Sequence, residues 1–241
     1  MRLYRLPNAN EWFYYCEVEG DPNDHNLNLL PQIADSIFPG ITSEPLIIVN
    51  TRATTAPICF SDNRVIFVNV KHVESYAQLI YQLGHELCHV YINSDQETAL
   101  SRSMFWFEEV LCEVSSHLFL DKFNPTWNPQ TKSQRYDSYS KEHLSGEYIE
   151  PFKTKGLFIH DGDLINYLKS NSQDRLKNSY LASLLLPYFL ENPTMVFDLK
   201  LLSHSYSIEH FDSFLENWRK LSSSIINKEV ISEIIELLES H

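Results

Sequence analysis

The residues best placed to do chemistry are two imidazoles four positions apart with a carboxylate between them, His85-Glu86-Leu87-Cys88-His89. On a helix, side chains four apart lie one above the other, so His85 and His89 face the same way and can clamp one metal ion. Glu86 then flanks that ion, placed to act as a general base on an activated water. The competing reading is an accidental spacing on a solvated face. It loses ground because the surrounding sequence predicts the required helix independently of the motif.

A catalytic zinc commonly takes three protein ligands and keeps a fourth position for water. A second helix, expected over roughly Met104 to Leu120, offers Glu108 and Glu109. Its apolar stripe reads Phe107, Leu111, Val114 and Leu118, which sets Glu108 beside Ser115 and Ser116. Glu109 instead shares a flank with Trp106, Val110, Glu113 and His117. A carboxylate beside Trp and Val is costly unless paired or metal-bound, whereas one beside two serines is simply solvated. The balance falls on Glu109, with Glu108 as the alternative. Glu113, one turn further, reads either as an exposed helix carboxylate or as an acceptor for the outer nitrogen of a ligating histidine. His117 reads as an ordinary surface or core histidine.

These groups need elements to hold them. Ser75 and Gln78 have the form of a capping box, so a helix is expected from near Tyr76, with Leu79, Leu83, Leu87 and Val90 facing inward until Asn93-Ser94-Asp95. That stripe places His85 and His89 on the opposite side, pointing into a cleft. Upstream, Leu29 to Phe38 has helical spacing and Leu46 to Val49 suits a short buried strand. Ile58 to Phe60 and Val65 to Val70 flank the turn formers Ser61-Asp62-Asn63, as in a hairpin. From Asp121 to Gly156 the sequence is polar and irregular, with Pro125, Pro129 and Pro151. Beyond it, apolar helical segments near Asp163 to Leu168, Tyr180 to Leu190, Ile208 to Leu221 and Val230 to Leu238 predict an all-helical last third.

A chain of 241 residues that is 43% hydrophobic and 13% aromatic has the composition of a globular protein with a full core. The formal net charge of −13 repels phosphate backbones and anionic lipid, which argues against a nucleic-acid or membrane-surface partner. It leaves neutral or cationic peptides free to approach. Met1 to Asn10 lacks the apolar core of a signal peptide, and the most apolar run, Tyr180 to Leu190, is too short to span a bilayer and contains Pro187. Cys16, Cys59, Cys88 and Cys112 form no CxxC pair and read as reduced, buried thiols. A cytoplasmic protein is expected.

The segments His85-Glu-Leu-Cys-His89, Trp106-Phe-Glu-Glu109 and Glu113 together resemble the gluzincins, the thermolysin-like and aminopeptidase-like zinc peptidases, in their peptidase-MA-like branch. The resemblance implies an α+β fold, with a zincin-like catalytic lobe over residues 1–120, an irregular connection or lid over 121–156 and a helical C-terminal lobe over 157–241. It implies one zinc ion per chain, held by His85, His89 and Glu109 and backed by Glu113. Glu86 would be the base acting on a peptide or protein substrate. Asn178-Ser-Tyr180-Leu-Ala resembles the start of the family's C-terminal helical lobe, and makes Tyr180 the candidate oxyanion donor, with His143, Tyr148 and His160 as alternatives. Arg64 to Val70 resembles the edge strand that lines the family's cleft. Val110 departs from the small residue usual after the ligand glutamate, and no Gly-x-Met-Glu-Asn segment supports exopeptidase activity. Two rivals keep the fold: a regulatory peptide-binding protein without catalysis, and a metal hydrolase with a non-peptide substrate.

Overall fold

The computed structural model describes residues 2–20, 22, 24–72, 75–93, 104–123, 162–205 and 208–240. It is a mixed α and β chain. The chain divides into two units, Met1–Ser94 with Ser115–Ser140, and Asp95–Val114 with Lys141–His241. Most of the expected lid, 121–156, lies outside the described residues, as do His143, Tyr148 and His160.

The first unit is built on a five-stranded sheet. Its strands are β1 (Arg2–Arg5), β2 (Trp12–Cys16), β3 (Leu46–Asn50), β4 (Ile58–Phe60) and β5 (Val65–Val68), in the order β1-β2-β3-β5-β4. The pairs β2/β3 and β3/β5 are parallel, whereas β1/β2 and β5/β4 are antiparallel. Alternation drives one face inward: Trp12, Tyr14, Cys16, Leu46, Ile48, Ile66 and Val68 are buried, as period-two side chains require. The hairpin expected around Ser61-Asp62-Asn63 forms, with β4 antiparallel to β5. The strand that resembled a cleft-lining edge is not at the edge, however. β5 lies between β3 and β4, and the edge belongs to β4, whose Ile58 and Phe60 are exposed. β1 and β2 were not anticipated.

Helix α1 (Asp24–Ile37) starts earlier than its apolar spacing suggested and carries Pro31. Helix α2 (Tyr76–Ile92) packs on β4 and β5. The capping box before it does not form: Ser75 makes no side-chain cap bond, and Gln78 turns to the chain after β5. Gln78 Nε2 and Gln82 Nε2 both donate to the Asn69 carbonyl at 3.2 Å, and the Asn69 amide donates back to Gln82 Oε1 at 2.9 Å. A two-way amide pairing of this kind fixes the helix in register with the strand one turn before His85 and Glu86. Helix α3 (Phe105–Phe123) begins among the second unit's residues and ends among the first unit's.

The described residues of the last third are helical, as expected: α4 (Gly162–Ser170), α5 (Arg175–Glu191), a 3-10 stretch (Pro193–Ser205), α6 (Phe211–Leu221) and α7 (Ile225–Ser240). α5 runs through Pro187 and is capped by Asp174, whose carboxylate accepts from the Leu176 and Lys177 amides. Trp106 and Phe107 at the start of α3 pack on Phe211 of α6 at centroid distances of 4.7 and 5.1 Å, and each such pair contributes about 0.5–1.5 kcal/mol beyond burial. A buried carboxylate ties the 3-10 stretch to α6 and α7. Asp198 Oδ2 accepts from Ser222 Oγ at 2.6 Å and Asn227 Nδ2 at 2.9 Å, while the Asp198 carbonyl accepts from Trp218 Nε1. Replacing Asp198 with Ala is expected to cost about 2 kcal/mol by leaving buried donors short of an acceptor. A lower urea midpoint with an unchanged slope would show it. Among the described residues, no helix is long and apolar enough to cross a membrane.

Candidate metal centre

The His-Glu-x-x-His segment lies on a helix, as its spacing requires. His85 and His89 stand edge-on to each other in α2, with ring centroids 5.2 Å apart and planes at 69°. The helix closes just beyond them: Asn93 donates to the His89 carbonyl from its amide at 3.1 Å and from its side chain at 2.8 Å. His85 is half-buried, while Glu86 and His89 are 5% and 8% exposed.

The expected division of α2 into an inward stripe and an outward ligand face holds only in part: Gln78, Tyr81, Gln82 and His85 are half-buried on the ligand face, but His89 is enclosed. Ile80, Gly84, Cys88 and Tyr91 are buried along with Leu79, Leu83, Leu87 and Val90. The reason lies in α3. Gly84 has no Cβ, and one placed there would meet Phe119 Cβ, Cγ and Cδ2 at 2.9–3.1 Å, so only glycine permits this approach. Ser115 Oγ then donates to the Gly84 carbonyl at 2.8 Å, and the His117 ring stands edge-on to Tyr81. A glycine inside a helix costs about 1 kcal/mol relative to alanine, and close packing of the two backbones offsets it.

α3 is buried on all sides as well. Glu108, assigned by the stripe to a solvated face, is 1% exposed, and Ser115 and Ser116 beside it are equally enclosed. Glu109 and Glu113 are 6% and 7% exposed. Burial thus fails to separate Glu108 from Glu109, and the case for Glu109 falls back on the motif. Glu113 is held from the second unit's own helices: Ser179 Oγ of α5 donates to Glu113 Oε1 at 2.9 Å. Tyr180, the next residue, is buried, and burial pushes its hydroxyl pKa up. No sequence signal marked Ser179 as a partner of Glu113.

The donor atoms that converge most closely come from three residues. A ligand atom from each of His85, His89 and Cys112 lies within 4.8 Å of the other two, so the three can hold a metal ion. Cys112 was expected only as a buried thiol. Its register on α3 follows from that of Ser115, one turn on in the same unbroken helix, whose bond to Gly84 fixes α3 against α2. Two imidazoles and a thiol suit zinc and similar borderline cations and do not suit calcium or magnesium, which prefer oxygen. Cys112 lies one turn past Glu108, on the side of α3 that the stripe assigned to solvent with Ser115 and Ser116, so the stripe argument offered no signal for it.

Comparison of the chain with protein-family models, with curated proteins and with solved structures finds no match.

Proposed function

We propose that the protein is a zinc-dependent hydrolase of gluzincin type that cleaves peptide bonds, with a zincin-like sheet-and-helix lobe and a helical C-terminal lobe. The observation that carries this reading is the helical His85-Glu86-His89 segment, with its imidazoles converging on a further donor from α3. His85 and His89 hold the ion, and Glu109 is the third ligand the motif implies. When bound, zinc lowers the pKa of a coordinated water towards neutrality and polarises a substrate carbonyl.

The remaining work belongs to side chains. Glu86 accepts the water proton on its carboxylate and passes it to the departing amine nitrogen. Tyr180 donates to the oxyanion, and the upward push on its hydroxyl pKa keeps that proton in place at neutral pH. Glu113, steadied by Ser179, accepts from the outer nitrogen of a ligating histidine and fixes its tautomer. The substrate is a neutral or cationic peptide, in keeping with the net charge of −13.

The test is zinc content of the purified protein together with cleavage of a quenched mixed-peptide library. Near-stoichiometric zinc with cleavage, and weaker zinc retention in Glu109→Ala, support the assignment. Zinc without cleavage of any peptide points to a non-catalytic peptide-binding protein. No zinc after reconstitution overturns the proposal.

A further inference from the structure

We propose that Cys112 is itself a metal ligand, making this centre a nitrogen-and-sulfur site that prefers borderline and soft divalent cations such as zinc, cobalt(II) and cadmium. The inference rests on the metal-binding reading of α2 and gives the third protein position to Cys112, a donor outside the gluzincin pattern, in place of Glu109, so that the fourth position stays open for water. Three observations carry it. The Cys112 sulfur falls within 4.8 Å of a ring nitrogen from each of His85 and His89, a span that one ion can bridge after small side-chain rotations. Cys112 is fully buried and forms no disulfide, so its sulfur is a thiol shielded from solvent oxidants. Its position along α3 is set by the Ser115–Gly84 bond and by Phe119 seated over Gly84, and cannot slide without breaking both.

Ligation replaces the S–H bond with a sulfur–metal bond and releases the thiol proton to solvent, with no change in oxidation state. The thiolate also brings a negative charge to an ion otherwise held by two neutral imidazoles. It binds soft cations more strongly than a carboxylate does, which separates the preference of this site from that of an all-oxygen or purely imidazole-carboxylate centre.

Two measurements on the full chain test the assignment. Cobalt(II) added to the metal-free protein is expected to give visible d–d bands together with a near-ultraviolet thiolate-to-cobalt charge-transfer band. In Cys112→Ser the charge-transfer band should vanish while the d–d bands persist. Because a hydroxyl at so buried a position can impair folding, the second measurement uses the unaltered protein. X-ray absorption of its zinc form should require one sulfur scatterer at about 2.3 Å beside the lighter atoms at about 2.0–2.2 Å. Cobalt or zinc bound with only nitrogen and oxygen neighbours overturns Cys112 ligation and leaves the metal site standing. Failure of the unaltered protein to take up either ion overturns both readings together.

Discussion

Glu86→Gln is expected to lower peptide cleavage by about 10²- to 10⁴-fold while leaving zinc content and thermal stability close to those of the parent chain. The substitution keeps the shape of the side chain at a position that is 5% exposed, so packing in α2 changes little. It removes a carboxylate able to take a proton and substitutes an amide that cannot. The ligands on either side, His85 and His89, keep their places on the same helix. Steady-state rates on the best library peptide, measured beside metal analysis of the same sample, separate the outcomes. Loss of cleavage with zinc retained identifies Glu86 as the base. Undiminished cleavage assigns proton transfer to another group and removes the central step of the proposed mechanism.

The largest expected effect on stability comes from Gly84→Val. Even the first added carbon would sit 2.9–3.1 Å from the Phe119 side chain, and two further methyls have nowhere to go without parting α2 from α3. Overpacking of this kind costs about 1–3 kcal/mol, and loss of the Ser115–Gly84 hydrogen bond adds about 1 kcal/mol. The gain in helix propensity over glycine, under about 1 kcal/mol, does not cancel it. Unfolding should therefore shift to lower denaturant. Shortening the opposing ring, as Gly84→Val with Phe119→Ala, should recover part of the loss. A double variant less stable than the sum of the two singles would show that Phe119 is not what crowds position 84.

The placement of His85, Glu86 and His89 on one helix was legible because helical spacing is written in the sequence. The β4–β5 hairpin was legible for a similar reason, since Ser61-Asp62-Asn63 marks the turn between two apolar runs. The surroundings of the motif were not. A stripe argument presumes that a helix has a wet side; α3 has none from Trp106 to Leu120, and α2 keeps no more than half-buried positions such as Gln78, Tyr81, Gln82 and His85. That presumption placed Glu108 in solvent, and it treated Gly84 and Ser115 as unremarkable when they are the small residues that let two helices meet. Cys112 escaped because a single cysteine has no spacing signature and lies one turn past Glu108, on the side the stripe gave to solvent. β1 was missed because Met1 to Asn10 was weighed only as a possible leader, and β2 because its short aromatic run was assigned to no element.

The point where the two units divide, between Val114 and Ser115, falls inside an unbroken helix of 19 residues, about 28 Å long. Half of that helix is anchored by Trp106 and Phe107 on Phe211, the other half by Ser115 and Phe119 on Gly84. The units are therefore compact without being modular. A fragment ending at residue 94 keeps both histidines but forfeits the helix that covers Gly84, and one starting at residue 95 carries a helix whose second half has lost its support. Cutting the chain at the border between its units would therefore sever a continuous helix, not a linker.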